Sequence, residues 1–320
     1  MNTVLVQAKM KQNPLISIVI PTYNHARFLG RAVKSVVDQT YTNWEIVVVD
    51  NHSTDNTSEV MEGFSDPRIT YLKINNNGII AASRNMGIRE ANGEWIAFLD
   101  SDDWWTKDKL QKCFEAINDN VDFIYHYLEI SSNKPRYLRR RLVKTPQVNA
   151  PVIKDLLVNG NKIHNSSVVV RKSLLLEIGG VNESPDLIAA EDFDTYVRIA
   201  SITDNFICLP HTFGYYFVHD TNTSSIARKD MSISAQNVVA GFCNLLDHQE
   251  KIRLKASFDY SKGRFNYSNG NYREAIKNFL YATFHHNNFS FRVKALIFLS
   301  GLVILKLPYN FVHRFNKDTE

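Results

Sequence analysis

The sequence predicts an α/β protein built on a doubly wound, mostly parallel sheet, with a helical appendage at its C-terminus. Short β-branched runs alternate with segments of helical spacing over the first hundred residues. Three of these runs end on polar residues, and from about Met231 the pattern turns helical and remains so. At 320 residues the chain is longer than a typical single domain, which favours one large domain with an appendage.

The first half of the sheet is predicted by segments with the spacing of a strand that alternate with segments with the spacing of a helix. Strands are predicted at 15–20, 44–49, 69–74 and 94–99, where most residues are apolar or β-branched. Between them, helices are predicted at about 25–40, 54–64 and 80–91. Strands that alternate with helices in this way form a parallel sheet, because each helix carries the chain back to the starting edge.

The second half of the chain is less regular. Helices are predicted at 107–118, 174–178 and 191–201, and strands at 122–130 and 166–171. We expect an N-terminal tail at 1–14, the α/β domain at 15–230 and a helical region at 231–320. In that helical region, the spacing of one tetratricopeptide-like hairpin is shown by Gly263, Gly270, Tyr272, Ala275, Phe279 and Ala282.

The last apolar run, Ala295–Leu305, lies between Lys294 and Lys306. Eleven helical residues span about 16 Å, which is too short for a bilayer core of about 30 Å. Two interpretations remain: the segment 292–314 lies in the membrane interface with its cations on anionic headgroups, or it is an ordinary packed helix.

Composition restricts the class of protein. The chain is 44% hydrophobic and 22% charged, as globular proteins are, and its net charge is +4. Three widely spaced cysteines are typical of reduced thiols in a cytoplasmic compartment, and residues 1–14 hold no apolar segment typical of a secretory signal.

The basic run Lys134–Lys144 is interpreted either as a site for an acceptor diphosphate or anionic lipid, or as a solvated hairpin. No recognisable reader motif accompanies it, so nucleic acid is not expected as a partner.

Polar residues follow three of the predicted strands, at the point where each strand ends. They are Thr22-Tyr23-Asn24, Asp50-Asn51 and Asp100-Ser101-Asp102-Asp103. In an open α/β sheet the carboxyl ends of parallel strands converge on one crevice, where ligands bind. We therefore expect a nucleotide at this edge.

The acidic group at the end of the fourth strand is the most informative of the three. Carboxylates this close repel one another, and a divalent cation with hard oxygen ligands relieves the repulsion. Mg²⁺ or Mn²⁺ bound there holds a diphosphate in turn. The alternative interpretation is a helix N-cap, which suits Asp103 in particular.

Five motifs in order then resemble one family. They are Pro21-Thr-Tyr-Asn24, Val49-Asp-Asn-His-Ser-Thr-Asp55, Ser83-Arg-Asn-Met-Gly-Ile88, Leu99-Asp-Ser-Asp-Asp103 and Glu191-Asp192. Together they resemble the family 2 inverting glycosyltransferases of GT-A fold, over roughly residues 15–225. The resemblance implies an enzyme that transfers one sugar from a nucleoside-diphosphate sugar to a hydroxyl of a glycan or lipid-linked acceptor, peripherally on the cytoplasmic face of the membrane.

The resemblance also implies roles for single residues. The nucleotide-sugar site takes Pro21, Thr22, Tyr23, Asn24, Asp50, Asn51, Arg84, Asp100 and Ser101. Many relatives carry a second aspartate where this chain has Asn51, a departure that bears on which pyrimidine is preferred. Asp55 is expected to cap a helix rather than touch the ligand.

For the chemistry, the resemblance implies Asp102 as the direct ligand of Mn²⁺ or Mg²⁺, with His219 as a further metal or diphosphate contact. Asp192 is the implied catalytic base and Glu191 its substitute, at a helix start where the dipole keeps a carboxylate ionised. An inverting transfer needs one such base on the face opposite the leaving group. His164 and Asn165 are expected to face the acceptor.

Two other functions stay open from the sequence. A noncatalytic sugar-nucleotide scaffold of a polysaccharide assembly complex uses the same fold, but retaining Asp100, Asp102 and Asp192 argues against it. A sugar nucleotidyltransferase requires a glycine-rich phosphate loop after the first strand, and Pro21-Thr-Tyr-Asn24 is no such loop.

Overall fold

The computed structural model of the chain describes residues 13–132, 141–219, 228–285 and 289–301. These residues form two compact units. Unit 1 comprises the described chain up to Pro146 together with Ile163–Gly180 and Asn205–Val218. Unit 2 comprises Gln147–Lys162, Val181–Asp204 and the described chain from His219 onward.

Within the described residues, nine strands all belong to unit 1. They are β1 (Ile16–Thr22), β2 (Trp44–Asp50), β3 (Ile69–Lys73), β4 (Trp95–Phe98), β5 (Trp104–Trp105), β6 (Phe123–Ser131), β7 (Arg141–Val143), β8 (Val169–Arg171) and β9 (Phe206–Phe217). The predicted strands of the first hundred residues appear with small shifts of their bounds. Strands β5 and β9 were not expected from the sequence.

The helices divide between the units. In chain order they are α1 (Ala26–Val37), α2 (Thr57–Glu62), α3 (Ile80–Glu90), α4 (Lys109–Ala116), α5 (Val152–Asn159), α6 (Lys172–Glu177), α7 (Glu191–Ala200), α8 (Arg228–Phe242), α9 (His248–Ser268), α10 (Tyr272–His285) and α11 (Phe289–Ser300). Unit 1 holds α1–α4 and α6, and unit 2 holds the others.

The sheet has the order β3-β2-β1-β4-β8-β6-β9-β5, with β7 added to β6. Strands β3, β2, β1 and β4 are parallel to one another, and β6 is parallel to β9. Strand β8 lies antiparallel to β4 and β6, and β5 antiparallel to β9. The prediction of a mostly parallel, doubly wound sheet is therefore confirmed.

Close backbone packing fixes the amino end of β4. The amide of Gly93 donates to Ser17 Oγ in β1 at 2.8 Å. A Cβ atom at Gly93 would lie 2.6 Å from the carbonyl oxygen of Leu15 and 2.5 Å from Ser17 Oγ, which is closer than real Cβ contacts. Only glycine fits at this position, and the contact therefore fixes the register of β4 against β1.

A lysine is buried in the core of unit 1. Lys109, at the start of α4, has no exposed surface, and its Nζ lies 3.2 Å from the centroid of the Trp105 ring. No hydrogen-bond partner of this Nζ occurs in the described part of the chain. Burial lowers the pKa of Lys109 to about 7, and the smaller effect of the nearby Cys113 opposes this shift. The same environment lowers the pKa of His126 to about 3, through burial and the charge of Lys109.

Unit 2 ends in the predicted helical hairpin. Helices α9 and α10 pack closely where Gly263 faces the ring of Phe279, since a Cβ on Gly263 would lie 2.8 Å from that ring. Helix α11 then packs on α10, and Tyr260, Phe279 and Phe298 meet in the buried cluster. None of the described helices is both long enough and apolar enough to cross a bilayer.

Candidate active site

The carboxyl ends of β1, β2 and β4 lie side by side in unit 1, as the sequence predicts. Thr22 is the register partner of Asp50, and the amide of Asn51 donates to the carbonyl oxygen of Thr22 at 3.0 Å. On the other side of β1, the amide of Leu99 donates to the carbonyl oxygen of Val19 at 3.1 Å. The acidic loop, defined here as Asp100–Asp103, therefore starts at the same edge as Thr22 and Asp50.

Asp100 is held by three groups of unit 1. Its Oδ1 accepts from Arg84 Nη2 at 3.1 Å and from Asn165 Nδ2 at 3.2 Å, and its amide donates to Ser166 Oγ at 3.1 Å. The Arg84 side chain is 6% exposed and that of Asp100 32% exposed. The predicted cation of the Ser-Arg-Asn segment is thus ion-paired with the first aspartate of the acidic loop.

Ser101 and Asp102 are held from helix α1. Ser101 Oγ lies 2.8 Å from His25 Nδ1, just before α1 begins. Arg31 Nη2, from the second turn of α1, donates to the carbonyl oxygen of Asp102 at 3.0 Å. The Arg31 guanidinium also lies 3.5 Å above the Trp104 ring. Both contacts span more than 70 residues, and neither was found from the sequence.

Asp103 has a structural role. Its Oδ2 accepts from Ser166 Oγ at 2.6 Å and its Oδ1 from the amide of Phe217 at 2.9 Å. Burial, followed by the charges of Asp102 and Asp100, raises the pKa of Asp103 well above its ordinary value. The interpretation of Asp103 as a helix cap is wrong, because the residues that follow form β5 and α4 starts only afterwards. It instead ties the acidic loop to β9.

The donor set of the acidic loop suits a cation shared with a ligand. Among the described residues, no group of three or more His, Cys, Asp or Glu side chains is placed to hold a metal ion. Mg²⁺ and similar ions bind through one or two carboxylates together with substrate phosphates, so a complete protein cage is not required. Asp102 is half-buried and Asp100 is partly exposed, so their carboxylates fit this mode.

The loop after β2 is held by hydrogen bonds that start at Asp50. Its Oδ2 accepts from Tyr71 Oη at 2.6 Å, and its Oδ1 accepts from the amide of Ser53 at 3.0 Å. Burial, with the hydrogen bond to Asp50, raises the pKa of Tyr71 to about 12. Asn51 Oδ1 accepts from the amide of Asn76 at 2.9 Å, so this amide group orients the loop before α3.

The residues after β1 differ in exposure. Pro21 and Thr22 are buried, whereas the Tyr23 side chain is 53% exposed. Thr22 Oγ1 is buried without a hydrogen-bond partner among the described residues. Asn24 adopts a left-handed φ of 51°, and its amide donates to Ser53 Oγ at 2.8 Å. Tyr23 is therefore displayed at the edge of the sheet while Asn24 joins the loops after β1 and β2.

Asp55 is a helix cap, as expected. Its Oδ1 accepts from the amide of Thr57, the first residue of α2, and its Oδ2 from the amide of Ala26, the first residue of α1. One carboxylate thus satisfies an amide at each of two helix starts.

His164 and Asn165 lie close to Asp100 of the acidic loop. Asn165 donates to Asp100, and the ring of His164 packs on Tyr216 with 5.1 Å between centroids. Burial lowers the pKa of His164, although the Asp100 carboxylate raises it. Their part in acceptor binding stays a prediction.

The other predicted acids lie in unit 2. Helix α7 begins at Glu191, which is buried, and Asp192 is half-buried with its Oδ2 accepting from Asn161 Nδ2 at 3.2 Å. Asp194 is paired with Arg198 one turn later at 2.7 Å. The three acids at the helix start are therefore not equivalent.

Two predicted features lie partly outside the described residues. His219 is half-buried and is described, but the residues that follow it, 220–227, are not. Residues 134–140 of the basic run Lys134–Lys144 also lie outside the described residues. Arg141–Val143 of the same run forms β7.

Comparison with known proteins places the chain in a family. Residues 17–172 match the family model described as glycosyl transferase family 2. An uncharacterised glycosyltransferase of Rickettsia typhi is 30% identical over 261 residues, which cover 78% of each chain. The chain belongs to glycosyltransferase family 2.

Other relatives extend the comparison. The chain is 28% identical to a UDP-Glc:alpha-D-GlcNAc-diphosphoundecaprenol beta-1,3-glucosyltransferase of Escherichia coli, over 78% of this chain and 98% of that one. A putative teichuronic acid biosynthesis glycosyltransferase of Bacillus subtilis is 40% identical over 32% of this chain and 41% of its own.

Solved structures agree on the fold. S. aureus TarS 1–349 in complex with UDP-GlcNAc has a TM-score of 0.61 at 19% identity, over 95% of this chain and 88% of that one. The mannosyltransferase PcManGT of Pyrobaculum calidifontis, in complex with GDP-Man and Mn²⁺, has a TM-score of 0.61 at 17% identity, over 95% and 84%. The family 2 chain therefore has the GT-A fold that its motifs implied.

Proposed function

We propose that this protein is an inverting, metal-assisted glycosyltransferase that moves one sugar from a nucleoside-diphosphate sugar to a hydroxyl of a glycan or lipid-linked acceptor. The observation that carries the proposal is the acidic loop, in which the backbone or side chain of each residue is fixed by a defined partner at the edge shared with Thr22 and Asp50. Such preorganisation is what a diphosphate site needs, because the site does not reorganise when charge develops.

The donor is assigned to the carboxyl edge of unit 1. Tyr23, displayed at that edge, offers its ring to the nucleobase. Asp50 and Asn51 take the base and ribose in this assignment, and the ion pair with Arg84 orients Asp100 beside the ribose. Supporting the assignment, the related structures named above hold UDP-GlcNAc and GDP-Man.

Asp102 is the proposed ligand of Mn²⁺ or Mg²⁺, with His219 as an additional contact. When bound, the ion supplies Lewis-acid neutralisation of the departing nucleoside diphosphate. Arg31 serves this function indirectly, because its hydrogen bond to the carbonyl oxygen fixes the backbone of Asp102. The related mannosyltransferase structure contains Mn²⁺, which supports the choice of ion.

Asp192 is the proposed base. Its place in the first turn of α7 favours the ionised carboxylate, since the helix dipole stabilises negative charge there. Asn161 orients the carboxylate, which takes the proton from the acceptor hydroxyl as the new bond forms. Asp194 is less suited because Arg198 pairs with it, and Glu191 is the substitute.

The acceptor class is proposed from a relative. The E. coli enzyme named above acts on a sugar linked through diphosphate to undecaprenol. We assign the same class, a lipid-linked sugar, to this protein, with a growing surface glycan as the wider category.

A donor screen with purified protein tests the proposal. Nucleoside-diphosphate sugars are added with MnCl₂ or with EDTA, and both the thermal midpoint and the released nucleoside diphosphate are measured. We expect one donor to stabilise the protein only with the metal. Asp102→Asn should abolish that stabilisation, whereas Asp192→Asn should keep it and lose transfer.

Asp186→Asn is the matched control, since it changes an exposed aspartate of unit 2 in the same way. Product analysis by NMR should show the anomer opposite to that of the donor. Metal-dependent binding without any turnover, even with lipid-linked acceptors, would instead identify a binding scaffold.

A further inference from the structure

The corner between α10 and α11 displays large apolar side chains. Phe284 is 69% exposed and Phe289 is 78% exposed, on either side of the short segment 286–288. Leu280 precedes Phe284 by one turn on α10 and is 43% exposed, and Leu296 follows Phe289 by two turns on α11 and is 51% exposed. We call these four residues the apolar corner. Exposed apolar clusters of this kind mark interaction sites.

The apolar corner is not a remnant of an incomplete core. The opposite faces of α10 and α11 are already filled, because Ala275, Phe279, Ala295 and Phe298 are fully buried in the cluster with α9. Residues four apart on a helix share a face, so Leu280 and Phe284 point away from Phe279 and Ala282 together. The corner is therefore a second, outward-facing apolar surface.

The net positive charge around the apolar corner indicates a partner with a negatively charged surface. Residues 272–300, which form α10, α11 and their connection, contain four lysines and arginines and one glutamate, whereas the whole chain carries 37 basic and 33 acidic residues. That glutamate, Glu274, pairs with Lys277 at the end of α10 far from the corner. Arg292 stands beside the corner with its side chain exposed, while its Nε donates to the carbonyl oxygen of Thr283. That hydrogen bond fixes α11 to α10, so the cation and the two phenylalanines are held together.

We propose that the apolar corner docks on an anionic membrane surface, with Phe284 and Phe289 entering the headgroup boundary and Arg292 contacting lipid phosphates. Aromatic rings and cations on one helical surface are the combination that binds in the plane of an anionic bilayer. A second copy of this chain is a poorer occupant, because a symmetric contact would place this net-basic surface, with its exposed Arg292, against itself. The proposal stands on the surface of unit 2 and does not depend on the chemistry of the acidic loop.

Vesicle flotation of the full-length protein tests the proposal. The probes are vesicles of phosphatidylcholine alone and of phosphatidylcholine mixed with phosphatidylglycerol. We expect clear preference for the anionic vesicles, weakened by added salt, because part of the attraction is electrostatic. The double variant Phe284→Ser/Phe289→Ser should lower the partition coefficient about tenfold or more, since it removes both rings that enter the boundary.

A matched control removes exposed apolar side chains elsewhere. Leu176 and Ile202 are 55% and 43% exposed, and the double variant Leu176→Ser/Ile202→Ser should bind vesicles as the wild type does. A second readout is independent of affinity: Phe289→Trp should shift its emission to the blue on addition of anionic vesicles, whereas Leu176→Trp should not.

Three results would overturn the inference. The first is equal binding of the wild type to neutral and anionic vesicles, and the second is unchanged binding of the Phe284→Ser/Phe289→Ser variant. The third is a concentration-dependent dimer of the wild type that this variant abolishes, which would make the corner an interface between copies. Donor hydrolysis by the variant is measured in parallel and should equal that of the wild type, so failure of docking and failure of the proposed activity are distinguishable.

Discussion

Replacing the buried Lys109 by methionine should stabilise unit 1, and the gain should fall as the pH rises. Burial lowers the pKa of Lys109 from 10.5 to about 7, a difference of about 3.5 units or roughly 5 kcal/mol. Between these two values the unfolded chain binds a proton that the folded chain has released, so stability rises with pH. The free energy by which Lys109 destabilises unit 1 is largest below pH 7, and it disappears as the pH approaches 10.5.

The size of the expected gain follows from the same two pKa values. Integrating the proton difference gives a destabilisation of roughly 4 kcal/mol at pH 7 and about 2 kcal/mol at pH 9. Methionine has a similar shape and volume, so it fills the same space beside Trp105 with little strain. Lys109→Met should therefore raise the free energy of unfolding by up to about 4 kcal/mol at pH 7 and by about half as much at pH 9.

Tryptophan fluorescence during urea denaturation is the assay. All four tryptophans, at 44, 95, 104 and 105, lie in unit 1, so their emission reports the unfolding of that unit. Lys112→Met is the control, because Lys112 is an exposed lysine of the same helix that pairs with Glu115. It should leave stability nearly unchanged at either pH, because an exposed ion pair contributes little. A destabilised Lys109→Met variant, or a gain independent of pH, would refute the reasoning.

Three further substitutions probe the scaffold of the site. Gly93→Ala should destabilise unit 1 by about 3 kcal/mol in the same urea assay, because its Cβ meets the backbone of β1, and an unchanged urea midpoint would contradict that packing. Arg84→Met should cost about 1–3 kcal/mol, since it leaves the partly exposed Asp100 without its cation, and an unchanged urea midpoint would contradict that role. Arg31→Met should weaken Mn²⁺-dependent donor binding about tenfold in calorimetric titration while leaving the far-UV spectrum unchanged; equal affinity would show that Asp102 needs no support from α1.

The first half of the sheet was predictable because its signals are local. A buried strand such as β2 and the amphipathic helix α1 each show their period within a dozen residues, and polar residues such as Asp50 mark the strand ends. The contact of Asp55 with the start of α2 is local as well, whereas its contact with Ala26 joins residues 29 positions apart and could not be predicted in this way.

The remaining parts depend on pairings that no short window contains. Strand β9 was missed because Phe206–Phe217 mixes polar and aromatic residues around Pro210 without clear alternation. Strand β5 is only two residues long and is defined by its pairing with Gly214 and Tyr215. Arg31 and His25 could not be assigned from sequence, because their partners in the acidic loop lie more than 70 residues away.

The hydrogen bond from Phe217 to Asp103 sets a lower limit on any fragment of this protein that can be expressed alone. The family match ends at residue 172, yet the buried carboxylate of Asp103 depends on an amide at the far end of β9. A fragment cut at the end of that match would leave a buried acid without one of its two donors and β6 without its parallel neighbour β9. The end of the family match therefore does not coincide with the end of an independently folding module, and shortened versions should retain the chain at least to residue 218.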